Sequence, residues 1–201
     1  IYQNWSKYER SLTYLEKSLE IRLNLHDRFE EAKVYNNLGN IYCHKTPQQD
    51  IKKAKLYLDK AIDIFKDLEE DYAIASGYAT IGNLYKNSNE FSESIKYHED
   101  ALAKFRSLKM TFYEYRVKCV LADTFIKLGM YSSANKYVED TIFLAEEFED
   151  YYILGRIYYI SSQINLSHNR ITDVIEDLKE SLENYHLAEK NDLSAEVILP
   201  L

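Results

Sequence analysis

A repeat of about 40 residues is the feature that most constrains how this chain can fold. The segment 78–105 aligns without gaps on the segment 158–185. Residues half as far apart as these two segments also match, since Ala61, Ala101 and Thr141 follow one another at steps of 40 residues. A chain with this period folds as an array of similar units, each of which packs against its neighbours.

Each unit is predicted to hold two helices. Ala54, Leu58, Ala61, Ile62 and Phe65 recur at helical spacing and form one apolar face. The chain contains only 5 Gly and 2 Pro, which argues against a β-sandwich or barrel. We therefore predict an all-α protein with helices at about 6–27, 31–45, 51–69, 71–87, 91–108, 112–128, 132–149, 152–167 and 171–189. Turn signals are Thr46-Pro47, Asn87-Ser88-Asn89, Gly129 and Ser167-His168-Asn169.

Small residues recur where two helices must approach closely. At one position of the first helix of each unit they are Gly39, Gly82, Ala122 and Ser162. The large apolar residues predicted on the second helix are Leu58, Val138 and Leu178. Small residues on one helix and large ones on the other predict interlocking helix pairs.

The segments YNNLGNIY (35–42) and YATIGNLY (78–85) resemble tetratricopeptide repeats. The resemblance implies a right-handed α-solenoid of antiparallel helix pairs and covers nearly the whole chain. The predicted divisions are a partial repeat at 1–31, repeats at 32–74, 75–114, 115–154 and 155–194, and the start of a truncated further element at 195–201. The chain departs from the family in its period, which exceeds the usual one of about 34 residues, and lacks the Pro that often ends the second helix.

The charge and cysteine content exclude several classes of partner. A net charge of −8 makes nucleic acid and anionic membranes unfavourable direct partners. The two cysteines, Cys43 and Cys119, are too few for a disulfide framework and fit a reducing compartment. We therefore expect a cytoplasmic protein. Because the sequence begins with Ile1 rather than Met, we also expect it to be part of a longer chain.

The residues needed for catalysis do not converge in the sequence. Adjacent residues such as Cys43 and His44 point about 100° apart on a helix and cannot act as a pair. The acidic runs at 67–71 and 146–150 lie at predicted helix ends, where solvated charge is the expected role. We predict no enzyme activity, no cofactor and no metal.

The resemblance also implies a binding face, because in the family the first helix of each unit lines a concave groove. Carried over position by position, the peptide-binding residues are Lys33, Asn36, Asn37, Asn40, Asn83, Lys86, Asn87, Arg116, Asp123, Lys127, Arg156, Tyr159 and Gln163. Asn40, Asn83 and Gln163 share one position of the repeat with Asp123, and their amides can both donate to and accept from a peptide backbone. The cations in this set outnumber its one carboxylate, which favours an acidic or carboxylate-bearing peptide.

These observations predict a non-enzymatic scaffold that binds a protein or an extended peptide in the cytoplasm. The alternative is the peptide-sensing half of a bacterial regulator of the peptide-pheromone type, which the long period and the long helices also resemble. The apolar segment VILPL (197–201) favours self-association through an uncapped end, because terminal repeats need a polar outer face.

Overall fold

Helices make up most of the chain in the computed structural model. The structure describes the backbone of residues 2–43 and 50–198 and the side chains of residues 9–43 and 50–189, and these residues contain no strand. The helices are α1 (Tyr2–Leu25), α2 (Arg28–Cys43), α3 (Ile51–Asp67), α4 (Asp71–Asn87), α5 (Phe91–Ser107), α6 (Thr111–Lys127), α7 (Tyr131–Glu147), α8 (Tyr151–Ser167) and α9 (Ile171–Ile198). The all-α prediction is therefore confirmed. The predicted Thr46-Pro47 turn and the side chains of 197–201 lie outside the described residues.

Helix α9 differs most from its predicted limits. It ends at Ile198, whereas the prediction ended it near 189. Between His186 and Ile198 the sequence contains neither Gly nor Pro, so no helix-breaking residue interrupts it. Helices α2 to α8 begin and end within three residues of their predicted limits.

The turns between successive helices from α3 to α9 share one backbone conformation. Each is three residues long, and its middle residue has a positive φ, such as 57° at Glu69 and 56° at Lys109. The N–H of Glu70 donates to the Phe65 carbonyl at 2.9 Å, and the N–H of Glu69 donates to the Lys66 carbonyl at 3.1 Å. This pair of bonds is the Schellman motif, which satisfies the last carbonyls of a helix. Residues in this middle position are Glu69, Asn89, Lys109, Gly129, Glu149 and Asn169.

Glycine at three of these turns is expected to stabilise the protein. Glu69→Gly, Lys109→Gly and Glu149→Gly each remove a Cβ from a left-handed residue, which outweighs the extra backbone entropy of glycine in the unfolded chain. We expect each change to raise the free energy of unfolding by about 0.5–1 kcal/mol in urea titrations. Gly129→Ala serves as the reverse control and should lower it by about 1 kcal/mol. Unchanged or lowered stability in all three glycine variants would contradict the role given to these turns.

The contacts of the chain divide it into two compact units, Ile1–Leu108 and Lys109–Leu201. In the first unit, α2 packs on α3 and α4 packs on α5 at the predicted small residues. An ideal Cβ built on Gly39 would lie 2.5 Å from Leu58 Cγ, and one built on Gly82 would lie 2.6 Å from the His98 ring. Both distances are too short for a real side chain, so the predicted close approach is confirmed at these two positions.

Stacked tyrosines fill the remaining space in both helix pairs of the first unit. Tyr57 of α3 stacks between Tyr35 and Tyr42 of α2, with ring centroids 6.0 and 5.8 Å apart. In the next pair, the ring of Tyr97 lies 5.6 Å from that of Tyr85 in the same arrangement. The stacked rings pack their apolar bodies between the paired helices, which explains how helices can carry so many tyrosines.

The second unit replaces one of these rings with a buried charge. Lys118 occupies the repeat position of Tyr35 and Tyr78, and it is only 4% exposed. Its ammonium group bonds to Glu114 at 2.7 Å and to Asp140 of α7. An ion pair therefore joins α6 to α7 where aromatic rings join the earlier helix pairs.

The prediction that Leu178 is a core residue is wrong. Leu178 is 42% exposed, whereas Tyr185, further along α9, packs on α8 with ring carbons 2.9 Å from an ideal Cβ on Gly155. Four apolar residues of α9 are exposed together, namely Ile171, Ile175, Leu178 and Leu182. Within residues 109–189, no described helix packs over this stripe, whereas the equivalent residue Leu58 is covered in its own unit.

Candidate functional site

The predicted binding residues lie on four helices, two in each compact unit. The first unit carries Lys33, Asn36, Asn37 and Asn40 on α2 and Asn83, Lys86 and Asn87 on α4. The second unit carries Arg116, Asp123 and Lys127 on α6 and Arg156, Tyr159 and Gln163 on α8.

A cavity lies between α2 and α4 in the first unit, over the end of α3. It has a volume of about 270 Å³ and brings together three predicted residues, Lys33, Asn36 and Asn37. The other residues that line it are Phe29, Phe65, Glu70, Tyr72, Ala73 and Ser76. Aromatic walls with a few polar groups are typical of a site that binds a ligand.

A second, more open cavity of about 450 Å³ lies on the other side of α2, against α1. Asn37 and Asn40 line it together with Tyr14, Leu15 and further residues. Asn37 thus borders both cavities. The outer face of α2 therefore forms a polar strip between two recesses in the surface of the first unit.

Asn36 contains one of three buried polar side-chain atoms that have no hydrogen-bond partner among the described residues. Its Oδ1 is covered from solvent and accepts no bond, and the other two atoms are His98 Nε2 and Thr141 Oγ1. Buried polar groups are nearly always paired, so an unpaired carbonyl beside a cavity needs an explanation. Among the other predicted residues of this unit, Asn83 and Asn87 are exposed on α4, while Asn40 and Lys86 are half-buried.

Three of the predicted cations already have partners within their own units. Lys33 pairs with Glu30 at 2.7 Å, and Arg116 pairs with Asp150 at 2.7 Å. Arg156 lies 3.7 Å from Asp123, another member of the predicted set. The charge that these residues offer to a ligand is therefore smaller than the sequence suggested.

The same three cations also lie over aromatic rings four residues earlier in their helices. The distances to the ring centroids are 5.5 Å for Lys33 over Phe29, 4.5 Å for Arg116 over Phe112 and 5.9 Å for Arg156 over Tyr152. These contacts give the cations a role in packing. The aromatic position they cover recurs with the repeat, at Phe29, Tyr72, Phe112 and Tyr152, and it was not predicted although its period is visible in the sequence.

The interpretation of 146–150 as solvated charge is wrong for Asp150, whose side chain is 7% exposed. It accepts bonds from the Tyr115 hydroxyl at 3.0 Å and from Arg116 Nε at 2.8 Å, and it caps α8 by accepting from the Ile153 N–H at 3.2 Å. Burial, followed by the Asp150 carboxylate, raises the pKa of Tyr115 to about 12. Arg116 is thus part of an internal network that fixes the start of α8.

The remaining predicted residues of the second unit are less confined. Lys127 and Tyr159 are exposed, and Gln163 Nε2 lies 3.5 Å from Ser162 Oγ.

Burial raises the pKa of the Cys43 thiol to about 11, which keeps the thiol protonated and unreactive at neutral pH. Among the described side chains, no group of three or more His, Cys, Asp or Glu residues is placed to hold a metal ion.

No protein-family model matches the chain, and no curated protein matches its sequence. Solved structures do match it. Aspartyl phosphate phosphatase F from Bacillus subtilis superposes with a TM-score of 0.80 at 14% identity, covering 93% of this chain and 50% of that chain. A signal transduction ATPase with numerous domains and a tetratricopeptide repeat sensor, from Pyrococcus horikoshii, gives 0.71 at 16% identity, covering 96% and 31%. Kinesin light chain TPR-like repeats from Podosopora anserina give 0.64 at 12% identity, covering 94% and 92%.

These matches establish the fold as an α-solenoid of the tetratricopeptide-repeat type, as the resemblance of 35–42 and 78–85 predicted. The chain spans about half the length of the phosphatase and about a third of the ATPase. Within the described part of the chain, no helix is both long and apolar enough to cross a membrane.

Proposed function

We propose that this chain is a non-enzymatic binding module that holds an extended peptide along α2 of its first unit. The observation that carries the proposal is the pair of cavities on either side of α2, with Asn37 bordering both. A peptide laid across this helix can place side chains in both recesses. Asn37 and Asn40 then face its backbone.

Amide side chains suit this task because each can donate and accept at once. A peptide backbone offers alternating N–H and C=O groups, and asparagine can pair with either without a charge having to be desolvated. Asn40 is partly buried on α2, so the lining of the groove limits its freedom before a ligand arrives. Restricted side chains lose less entropy on binding.

An acidic or carboxylate-bearing ligand remains part of the proposal, but charge gives it less support than amide recognition does. Lys33, Arg116 and Arg156 each have a carboxylate partner, so a ligand carboxylate must compete with one already present. Lys127 is exposed at the end of α6.

We also propose that the protein self-associates through the exposed apolar stripe of α9. Sedimentation equilibrium would detect this association.

A peptide-array screen tests the proposed site directly. The double variant Asn37→Ala/Asn40→Ala is expected to bind selected peptides at least about tenfold more weakly than the wild type, since it loses two amide partners. Asn135→Ala is the matched control, because this asparagine is exposed on α7 of the other unit. Equal binding by the double variant and the wild type would place the interaction elsewhere and overturn the proposal.

A second candidate function is peptide sensing within a larger regulator. It is favoured by the superposition on half of an aspartyl phosphate phosphatase and on part of an ATPase whose tetratricopeptide repeats are described as a sensor. A sensor must change shape when its ligand binds, whereas a scaffold need not. X-ray scattering with and without an array-selected peptide distinguishes the two, because an unchanged profile is expected only of the scaffold.

A further inference from the structure

The cavity between α2 and α4 is large enough to hold one bulky amino-acid side chain. Its volume of about 270 Å³ falls below the range of roughly 300–1,000 Å³ that is usual for small-molecule sites. Its walls include the rings of Phe29, Phe65 and Tyr72, and the Phe29 and Phe65 ring centroids are 5.9 Å apart in an edge-to-face arrangement. Such walls favour an apolar occupant.

The rim of this cavity places Lys33 among carboxylates. Lys33 is bonded to Glu30 and lies over the Phe29 ring, and Glu70 provides a second carboxylate on the other side. An anionic occupant would therefore have to be desolvated beside these carboxylates without gaining an unpaired cation among the lining residues, which is unfavourable.

Asn36 is the polar group that departs from the repeat. The residues at its position in the other first helices are Ala79, Cys119 and Tyr159. Packing of the repeat therefore does not require an amide here. Asn36 nevertheless places an amide at the cavity, and its Oδ1 lacks a hydrogen-bond donor. Rotation about the last bond of the side chain exchanges the two ends of the amide, so Asn36 can offer either a donor or an acceptor.

We propose that this cavity binds one bulky apolar side chain of the peptide, such as leucine or phenylalanine, and that Asn36 pairs with the backbone amide of that same residue. The inference rests on the proposed function and adds the class of residue that is recognised. The aromatic walls select the side chain, while Asn36 requires a free backbone N–H or C=O beside it. Because Oδ1 is covered in the free protein, the amide of Asn36 rotates to present it to the ligand, which relieves its lack of a partner.

Titration of the whole chain with blocked amino acids, followed by amide chemical shifts, tests this inference. The probes are the N-acetyl N′-methylamides of leucine, phenylalanine, aspartate and lysine. The leucine and phenylalanine probes are expected to shift the resonances of Phe29, Asn36 and Tyr72 and to bind more tightly than the charged probes. A leucine probe methylated on its backbone nitrogen should bind roughly 3- to 10-fold more weakly, because it has lost its donor.

Asn36→Ala should weaken binding of the leucine probe by a similar factor without lowering the melting temperature, since it removes an unpaired group. A structural asparagine would show the opposite result, with lower stability and unchanged binding. Asn135→Ala is the matched control, because that asparagine is exposed on α7 of the other unit and does not line the cavity. It should bind the probe like the wild type.

Two results would overturn the inference: equal affinity for apolar and charged probes, or unchanged affinity in Asn36→Ala. If array peptides still depend on Asn37 and Asn40 in that case, the proposed function survives and only the cavity's role fails. If the leucine probe binds as expected while no array peptide depends on Asn37 and Asn40, the cavity stands and the peptide groove fails.

Discussion

Gly82→Leu is expected to lower the free energy of unfolding by about 3 kcal/mol or more, because the helix pair α4–α5 has no room for a side chain at this position. An ideal Cβ on Gly82 would lie 2.6 Å from both Nδ1 and Cε1 of His98. The ring cannot easily withdraw, since its Nδ1 is bonded to the Ser94 carbonyl at 2.8 Å and the residue is fully buried. Urea unfolding monitored by circular dichroism measures the effect.

Two further variants separate crowding from helix propensity. Asn83→Leu introduces the same residue one position later, where the side chain is exposed, and should change stability by less than about 0.5 kcal/mol. Combining Gly82→Ala with His98→Ala should cost less than the sum of the two single changes, because the new methyl group occupies space that the ring has left. Strict additivity would show that the two residues do not compete for one space.

Acid is expected to destabilise the protein through His98. Burial lowers the pKa of His98 to about 4, with a smaller contribution from the nearby Lys86 ammonium, while the Ser94 carbonyl opposes the shift. The unfolded chain takes up a proton near its ordinary pKa of 6.5, and the folded chain does so only near 4. Stability is therefore complete above about pH 6.5 and falls by about 3 kcal/mol as the pH drops to about 4.

The repeat itself provides the control for this titration. Leu58 occupies the position of His98 in the preceding helix pair, where it packs on Gly39 as His98 packs on Gly82. His98→Leu should therefore fold, and it should lose the decline of about 2 kcal/mol that we expect for the wild type between about pH 7.5 and about pH 5. Urea titrations at the two pH values measure it. The same decline in both proteins would assign the acid sensitivity to other groups.

The helical repeat could be predicted because its signals are local and recur. Gly39 and Gly82 marked the close approach of paired helices, and helices α3 to α8 began within one residue of their predicted positions. The left-handed backbone of three turn residues was harder to predict. Glu69, Lys109 and Glu149 adopt it, although Gly or Asn is the residue that usually signals it. The period of the repeat predicted where those turns lie, whereas the residue types within them did not.

The candidate site was less predictable because side-chain pairing depends on residues far apart in the sequence. Arg116 was assigned to a ligand, but Asp150 lies 34 residues later and holds it at the start of α8. The cavity beside Asn36 needs Phe65 and Tyr72, which the binding positions of the family do not include. The prediction that Leu178 is a core residue was wrong for a related reason. Whether a residue is buried depends on which neighbouring helix is present, and the apolar periodicity of its own helix does not show this.

The turns described above also bear on how a chain of this kind can change in length. From α3 to α9, turns within a helix pair and turns between pairs have the same backbone, so over these helices the main chain repeats with every helix while the side chains repeat only with every second helix. Duplication or loss of a whole helix pair joins two pairs by a turn of a kind that the chain already contains. It also keeps each glycine of the paired helices opposite a large residue. A change by one helix would preserve the backbone but set two helices of the same kind against each other. We therefore expect inherited variation in length to be tolerated in whole pairs of helices.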